Sequence, residues 1–252
     1  MGMTDTKQDI LVSIVTVCYN SEATIRDTLE SVLHQTYGNI EYIIVDGQSK
    51  DHTLDIVEEY RPKFEQRGIP VQVSSEKDNG VYDAMNKGIA KAKGTLVGMI
   101  NSDDWYEQNA VERVVDTFHK ENFDMFYADI RLYKGESYIV KKARYRKYAT
   151  SRDWNHPTTF MRRSVYDKFQ YATDCVYDDW DLMLKVFKGD YKVVVLNEVL
   201  ANFRMGGLSN EGGVRTALRK CRERYRIYRR NGYSRIYLLE CMMTELAKLI
   251  VK

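Results

Sequence analysis

The chain is poor in several things at once. It has 252 residues but only four cysteines and three prolines, and its formal net charge is only +2. The cysteines, Cys18, Cys175, Cys221 and Cys241, lie far apart with no C-x-x-C pair, which excludes a zinc site or a disulfide framework read from spacing. Reduced thiols fit a cytosolic protein. No charge-free apolar run approaches membrane-spanning length, and the N-terminus shows no signal-peptide pattern. The expectation is therefore a cytoplasmic protein, peripheral at most to the inner face of the membrane. No G-x-G-x-x-G follows the first apolar run and no Walker A loop is present, so the dinucleotide and P-loop fingerprints are missing. The small net charge hides an uneven spread. Residues 213–252 hold 11 Lys/Arg against 3 Asp/Glu, a balance of +8, which leaves −6 for the rest. An acidic body with a basic tail suggests chemistry in front and docking behind.

What is present alternates. Ile10–Cys18 is a β-branched run that predicts a buried strand. A helix follows with Ser21 as its N-cap. Ile40–Val45 predicts a second strand, then a helix capped by Asp51, a strand over Pro70–Ser74, a helix over Val81–Ala92 and a strand over Leu96–Ile100. Strict alternation argues for an α/β fold of Rossmann-like type, with a mostly parallel sheet flanked by helices. In such sheets ligands bind beyond the carboxyl ends of the strands. The polar clusters sit at those ends: Tyr19-Asn20, Asp46-Gly47, residues 76–80 and residues 101–104. After Asp104 the pattern predicts a helix over Ala110–Phe118, a strand over Phe123–Ala128 and a hairpin around Lys134-Gly135. A helix over Asp179–Lys188, a strand over Lys192–Leu196 and two tail helices split at Asn231-Gly232 complete the chain.

The chemistry-bearing residues have both plain and functional readings. Adjacent carboxylates at Asp103 and Asp104, at the tip of a buried strand, are costly without a cation between them. A divalent ion with oxygen ligands and a phosphate fits there; Asx capping is the plain alternative. Tyr19 can stack on a base and Asp46 can accept from a base N–H or a ribose hydroxyl, or both can simply pack and turn. Asn86 and Lys87 share a helix face with Asp83 and can hold a phosphate or sugar. Asp178 and Asp179 open a helix, either as caps for its dipole or as a general base, with Trp180 as an apolar wall. His156 is a candidate substrate contact. The backbone at Gly206, Gly207 and Ser209 is a candidate phosphate contact.

Taken together, these stretches resemble the family 2 glycosyltransferases of bacterial polysaccharide biosynthesis, which have the GT-A fold. The resemblance rests on SIVTVCYNSEATIRDTLESVLHQTYGNIEYIIVDGQSKDHT, then EKDNGVYDAMNKGIAKAKG, then NSDD, in that order and spacing. It is strong over residues 11–105 and looser to about 210. It implies a catalytic domain over 1–210, with a nucleotide-binding half at 11–105 and an acceptor half at 106–210, and a helical extension at 211–252. It implies a nucleotide-diphosphate sugar donor with uridine as the base, a divalent metal (Mn²⁺ or Mg²⁺), inversion at the anomeric carbon, and a glycan or lipid-linked acceptor. In that reading Thr16, Tyr19, Asn20 and Asp46 hold the nucleoside, with Asp78 beside it. Asn101-Ser102-Asp103 takes the place of D-x-D, with Asp103 or Asp104 on the metal. Asp179 supplies the base next to Asp178. The chain departs from the pattern at Asn101, where the first carboxylate of D-x-D stands in relatives. It departs again at Met205, where many carry a histidine. A Q-x-x-R-W motif is absent, which predicts transfer of one sugar per encounter.

Two rivals share part of this pattern. A nucleotidyltransferase would need a Gly-rich loop with a lysine after its first strand. A non-catalytic sugar- or nucleic-acid-binding protein leaves the paired carboxylates unexplained, and no nucleic acid partner is expected. The basic tail with the apolar stretch 236–251 suits anionic lipid, packing on the body, or a dimer seam.

Overall fold

A computed structural model describes residues 9–206 and 213–250. Strands β1 (Val12–Cys18), β2 (Ile40–Asp46), β3 (Val71–Ser75) and β4 (Leu96–Met99) are parallel, in the order β3-β2-β1-β4. Helices α1 (Ile25–Leu33), α2 (Thr53–Gln66) and α3 (Val81–Lys91) make the crossovers. Every residue of β1 is buried, as expected for a strand covered on both faces.

The second half continues the same sheet. After β5 (Trp105–Tyr106) and α4 (Ala110–Glu121) come β6 (Met125–Lys134) and β7 (Ser137–Lys141), a hairpin that turns at Gly135 with φ +61°. A 3-10 turn at His156–Thr158 leads into β8 (Phe160–Arg162), α5 (Arg163–Tyr166) and α6 (Asp178–Lys188). β9 (Val193–Arg204) then pairs with both β6 and β5. The order is β3-β2-β1-β4-β8-β6-β9-β5, with β7 on the free side of β6. β8 is the antiparallel joint between the halves. At its centre Gly98 of β4 has no room for a side chain, because a Cβ there would meet the Phe160 ring at 2.2 Å.

Two cores lie on opposite faces. Ile14, Ile44, Leu29, Val57 and Val114 belong to one, under α1, α2 and α4. Val15, Val45, Met85, Leu182 and Tyr228 belong to the other, under α3, α6 and a hairpin of α7 (Val214–Arg230) and α8 (Tyr237–Ile250). Among the described residues no helix is long and apolar enough to cross a membrane.

Several local expectations change. Ser21 is not the N-cap of α1: Thr24 holds that position, while the Ser21 carbonyl accepts from the Thr24 and Ile25 amides. The helix expected over Ala110–Phe118 is α4, and the plain capping reading, which would start it near Glu107, fails because Trp105 and Tyr106 pair with Asn202 and Ala201 of β9. β9 runs eight residues past the expected end at Leu196, through register shifts opposite Asp129. The tail packs on the body: Tyr228 and Tyr237 stack at 4.3 Å, and Tyr228 meets Trp180 edge-on.

Candidate functional site

The carboxyl ends of β1, β2 and β4 meet through their loops. The Asn20 amide donates to Ser49 Oγ (2.8 Å), and Asn20 Oδ1 accepts from the Lys50 amide (2.8 Å). Asn20 holds φ +49°, a left-handed value that Asn tolerates better than most residues. Ser21 and Ser102 hydroxyls lie 2.8 Å apart, and Thr28 Oγ1 donates to the carbonyl of Asp104 at 2.6 Å. The β1 loop and the Asn101–Asp104 turn are thus one structure.

Gly47 forms the floor of a slot between two side chains. A Cβ at Gly47 would stand 2.5 Å from Asp78 Oδ2 and 3.4 Å from the Tyr19 ring. Tyr19 is 59% exposed, so one face of its ring is open to a ligand. An exposed ring, a bare glycine and a carboxylate side by side suit a flat heterocycle. Asp46 is behind this slot. It is fully buried and accepts from the Ser49 amide (3.1 Å) and from the Ser75 hydroxyl (2.6 Å). Its carboxylate therefore shapes the loop from within.

At the end of β4 the two carboxylates differ. Asp104 is fully buried; its Oδ1 accepts from the Arg204 amide at 3.0 Å and its Oδ2 has no partner among the described residues. Burial, and then the charge of Asp103, push its carboxyl far above the usual range. Asp103 is half-buried, and desolvation raises its carboxyl as well. Asn101 Oδ1 is a second buried oxygen without a partner. Orphaned oxygens beside a desolvated carboxylate are the environment a cation relieves. Among the described residues no three His, Cys, Asp or Glu side chains gather as a cage, so an ion here takes part of its shell from a ligand or water. Arg204 adds a positive charge nearby, held over Trp105 and paired with Asp27 at 2.7 Å.

Asp178 and Asp179 are adjacent but not equivalent. Asp178 is fully buried and spent: its Oδ2 accepts from the amides of Asp174 (2.6 Å) and Cys175 (2.7 Å), and Arg230 reaches its Oδ1 at 3.0 Å. Asp179 accepts from the Trp180 amide at 2.6 Å, and among the described residues no cation forms a salt bridge with it. Burial pushes its carboxyl up to about 6, and the charge of Asp178 adds to the rise, while the Trp180 amide and the Tyr82 hydroxyl pull it down. The Tyr82 hydroxyl, from the first turn of α3, lies between Asp179 and the Val176 carbonyl (3.0 Å) and has one proton for the two. A carboxylate with a pKa near 6 is ionised at neutral pH yet can still take a proton.

Other expected site residues do structural work. Thr16 is fully buried and accepts from the Tyr42 hydroxyl at 2.9 Å, so it cannot touch a nucleoside. Asn86 clamps Tyr171 with both ends of its amide, at 2.8 and 3.0 Å. Lys87 donates to the Lys77 carbonyl (2.8 Å) and lies near Asp83 and Glu76, tying down the loop after β3. Trp180 is 1% exposed inside the second core, packed on Trp154 and Phe187. His156 is half-buried with Nε2 3.2 Å from the Tyr171 hydroxyl, and desolvation lowers it to about 4, so it stays neutral. Gly206 has φ +133°, while Gly207 and Ser209 lie outside the described residues.

Sequence reasoning missed four residues that organise this site: Tyr82, Tyr171, Arg204 and Arg230. Tyr82 stood inside a noted stretch. The others show their roles only through partners 49 to 100 residues away, as with Arg230 on Asp181 and Arg204 on Asp104.

Comparison with known proteins gives the family and the fold. The family model for glycosyl transferase family 2 matches residues 13–176. A PGL/p-HBAD biosynthesis glycosyltransferase of Mycobacterium tuberculosis is 30% identical over 217 residues, covering 79% of each chain. The putative glycosyltransferase EpsH of Bacillus subtilis is 41% identical over 106 residues, which is 42% of this chain and 30% of that one. Among solved structures, S. aureus TarS 1-349 in complex with UDP-GlcNAc superposes with a TM-score of 0.70 at 18% identity, over 94% of this chain and 72% of that one. The mannosyltransferase PcManGT of Pyrobaculum calidifontis, in complex with GDP-Man and Mn²⁺, superposes with a TM-score of 0.67 at 15% identity, over 96% and 74%. Sheet order, match and relatives converge: the chain has the GT-A fold and belongs to glycosyl transferase family 2.

Proposed function

We propose that this glycosyltransferase moves one sugar, with inversion, from a uridine diphosphate donor to a hydroxyl of a glycan or lipid-linked acceptor in cell-surface polysaccharide synthesis. The base occupies the slot between Tyr19 and Asp78 over Gly47. Asp103 and Asn101 would hold a divalent ion, Mn²⁺ or Mg²⁺, against the diphosphate. When bound, such an ion offsets the charge that grows on the leaving group. Asp104 serves as the buried peg that keeps this turn on β9.

The observation that carries the reading is Asp179. Its carboxyl sits near 6 with no cation on it, beside a fully committed Asp178. The acceptor oxygen forms the new bond to the anomeric carbon, the bond to the diphosphate oxygen breaks, and Asp179 takes the hydroxyl proton. Such a base contributes about 10²–10⁴-fold in rate. PcManGT binds GDP-Man with Mn²⁺ and TarS binds UDP-GlcNAc; uridine is favoured here by the sequence resemblance. The reaction takes place on the cytoplasmic side, where nucleotide sugars are made.

Thermal stability measured with UDP, GDP and dTDP, each with and without Mn²⁺, tests the donor site, because a ligand of the native state raises its melting point by mass action. A rise with UDP that needs Mn²⁺ and disappears in Asp103→Asn is expected. No rise with any nucleotide, or an unchanged rise in Asp103→Asn, counts against the assignment.

A further inference from the structure

The α7–α8 hairpin is built inside out. On α8, Glu240, Thr244 and Glu245 face inward and are at most 7% exposed. Glu240 accepts from Thr150, and Glu245 meets Arg224 at 3.0 Å. The opposite side is apolar and open: Leu239 is 61% exposed, Met242 53%, Met243 62% and Leu246 51%. With both acids turned inward, that outer face carries no charge from Leu238 to Ala247. A free-standing helix in water has the reverse arrangement.

α7 adds charge of one sign. Arg215, Arg219, Arg222, Arg226 and Arg229 recur at alternating spacings of four and three, which places them on one stripe. All five are exposed, opposite the buried Lys220, Arg224 and Tyr228. The single acid of α7, Glu223, is off the stripe and half-buried. A third strip borders α8. Arg144, Tyr145, Arg146, Lys147 and Tyr148 are all exposed, and Tyr148 stacks on Tyr237 at 4.5 Å.

We propose that this outer surface lies on an anionic lipid bilayer, with the α8 side chains at acyl depth and the arginine stripe and the 144–148 strip among the headgroups. Apolar and aromatic side chains beside clustered cations fit that interface, where neither water nor a neutral protein face satisfies both. A second copy docking through α8 would bring its own arginine stripe against this one, whereas an anionic surface complements it. The proposal deepens the reading of a membrane-presented acceptor and rests on it only for its purpose, since the surface binds lipid without donor or turnover. It also places the lipid contact one helix from the proposed base: the C-terminal end of α7 holds the start of α6 through Arg230.

The full chain is sedimented with vesicles of phosphatidylcholine alone or with added phosphatidylglycerol, at low and high salt. It is expected to pellet with anionic vesicles only, and less at high salt. Arg222→Ser/Arg226→Ser should weaken partitioning about 25-fold, at about fivefold per cation. Leu239→Ser/Met243→Ser should weaken it more than about tenfold. These positions are exposed, so both variants should keep the wild-type melting point and nucleotide-induced thermal shift. Failure to pellet at low salt overturns the proposal, as does equal binding to neutral vesicles. So does a dimer in solution that Leu239→Ser/Met243→Ser converts to monomer, which would assign the face to a second copy. A failed donor test with intact lipid binding would sink the transferase assignment and spare this one.

Discussion

Replacing Asp179 with asparagine separates a base from a structural acceptor. Asparagine keeps the shape of the side chain, so the Trp180 amide retains an acceptor. What changes is charge. The native carboxyl sits at about 6 against an ordinary value of 3.8. The folded state therefore binds this proton more tightly than the unfolded chain does. The raised value costs no stability below about pH 4, and the cost grows to its full size as pH rises through 6. At about 1.36 kcal/mol per pH unit, roughly two units make that cost up to ~3 kcal/mol at neutral pH. Asp179→Asn should then melt several degrees higher than the wild type at pH 7, at about 2–4 °C per kcal/mol for a chain near this size, with the gap closing toward pH 4. Turnover should fall by about 10²–10⁴ while nucleotide affinity holds. The assays are a melting curve against pH and a nucleotide-release assay with acceptor. A lower melting point with unimpaired turnover would refute the reasoning and leave Asp179 as a structural acceptor in the first turn of α6.

Other perturbations reach different parts of the site. Turnover should lose its activity limb near pH 6, falling about tenfold by pH 5, and Tyr82→Phe should move that limb to higher pH, because the hydroxyl favours the ionised carboxylate. Coincident pH profiles would remove Tyr82 from the account. Arg230→Met leaves Asp178 and Asp181, both fully buried, without their guanidinium. The cost should be about 3 kcal/mol in urea unfolding, at the low end for a buried pair because Arg230 itself is 32% exposed, and Asp178→Asn in the same chain should recover part of it. Gly47→Ala puts a methyl 2.5 Å from Asp78 Oδ2 and should weaken UDP binding by calorimetry about tenfold, or ~1.4 kcal/mol, with little change in melting point.

The alternating half of the fold was legible because strands buried on both faces and amphipathic helices write their periods into the chain. The strand-end clusters followed: Tyr19 comes directly after β1, and Asp103 lies just beyond β4. Thr16 did not follow, because in a strand covered on both sides nothing local tells which side chains look toward a ligand. It shares a face with Val12 and Ile14 and belongs to the core. Asn86 read as a ligand-holding amide, but its partner, the Tyr171 backbone, lies 85 residues away. Trp105-Tyr106 read as the approach to a helix because their pairing strand comes about 95 residues later. Nothing in the tail's sequence tells which way Glu240, Thr244 and Glu245 of α8 face; the positions of Thr150 and Arg224 turn them inward.

The joint at β8 has a mechanical meaning. Many transferases close around substrate by swinging one domain over another, which needs a few residues free to change their backbone angles. Here a ladder of hydrogen bonds runs unbroken from β3 to β5, and its middle rung is Gly98 pressed against Phe160. The two halves form a single plate without a pivot. The span between the nucleotide slot and Asp179 is therefore cast when the chain folds, and adjustment to substrate is left to loops and side chains. A bulkier residue at Gly98 would act as a wedge, altering that span without touching either ligand.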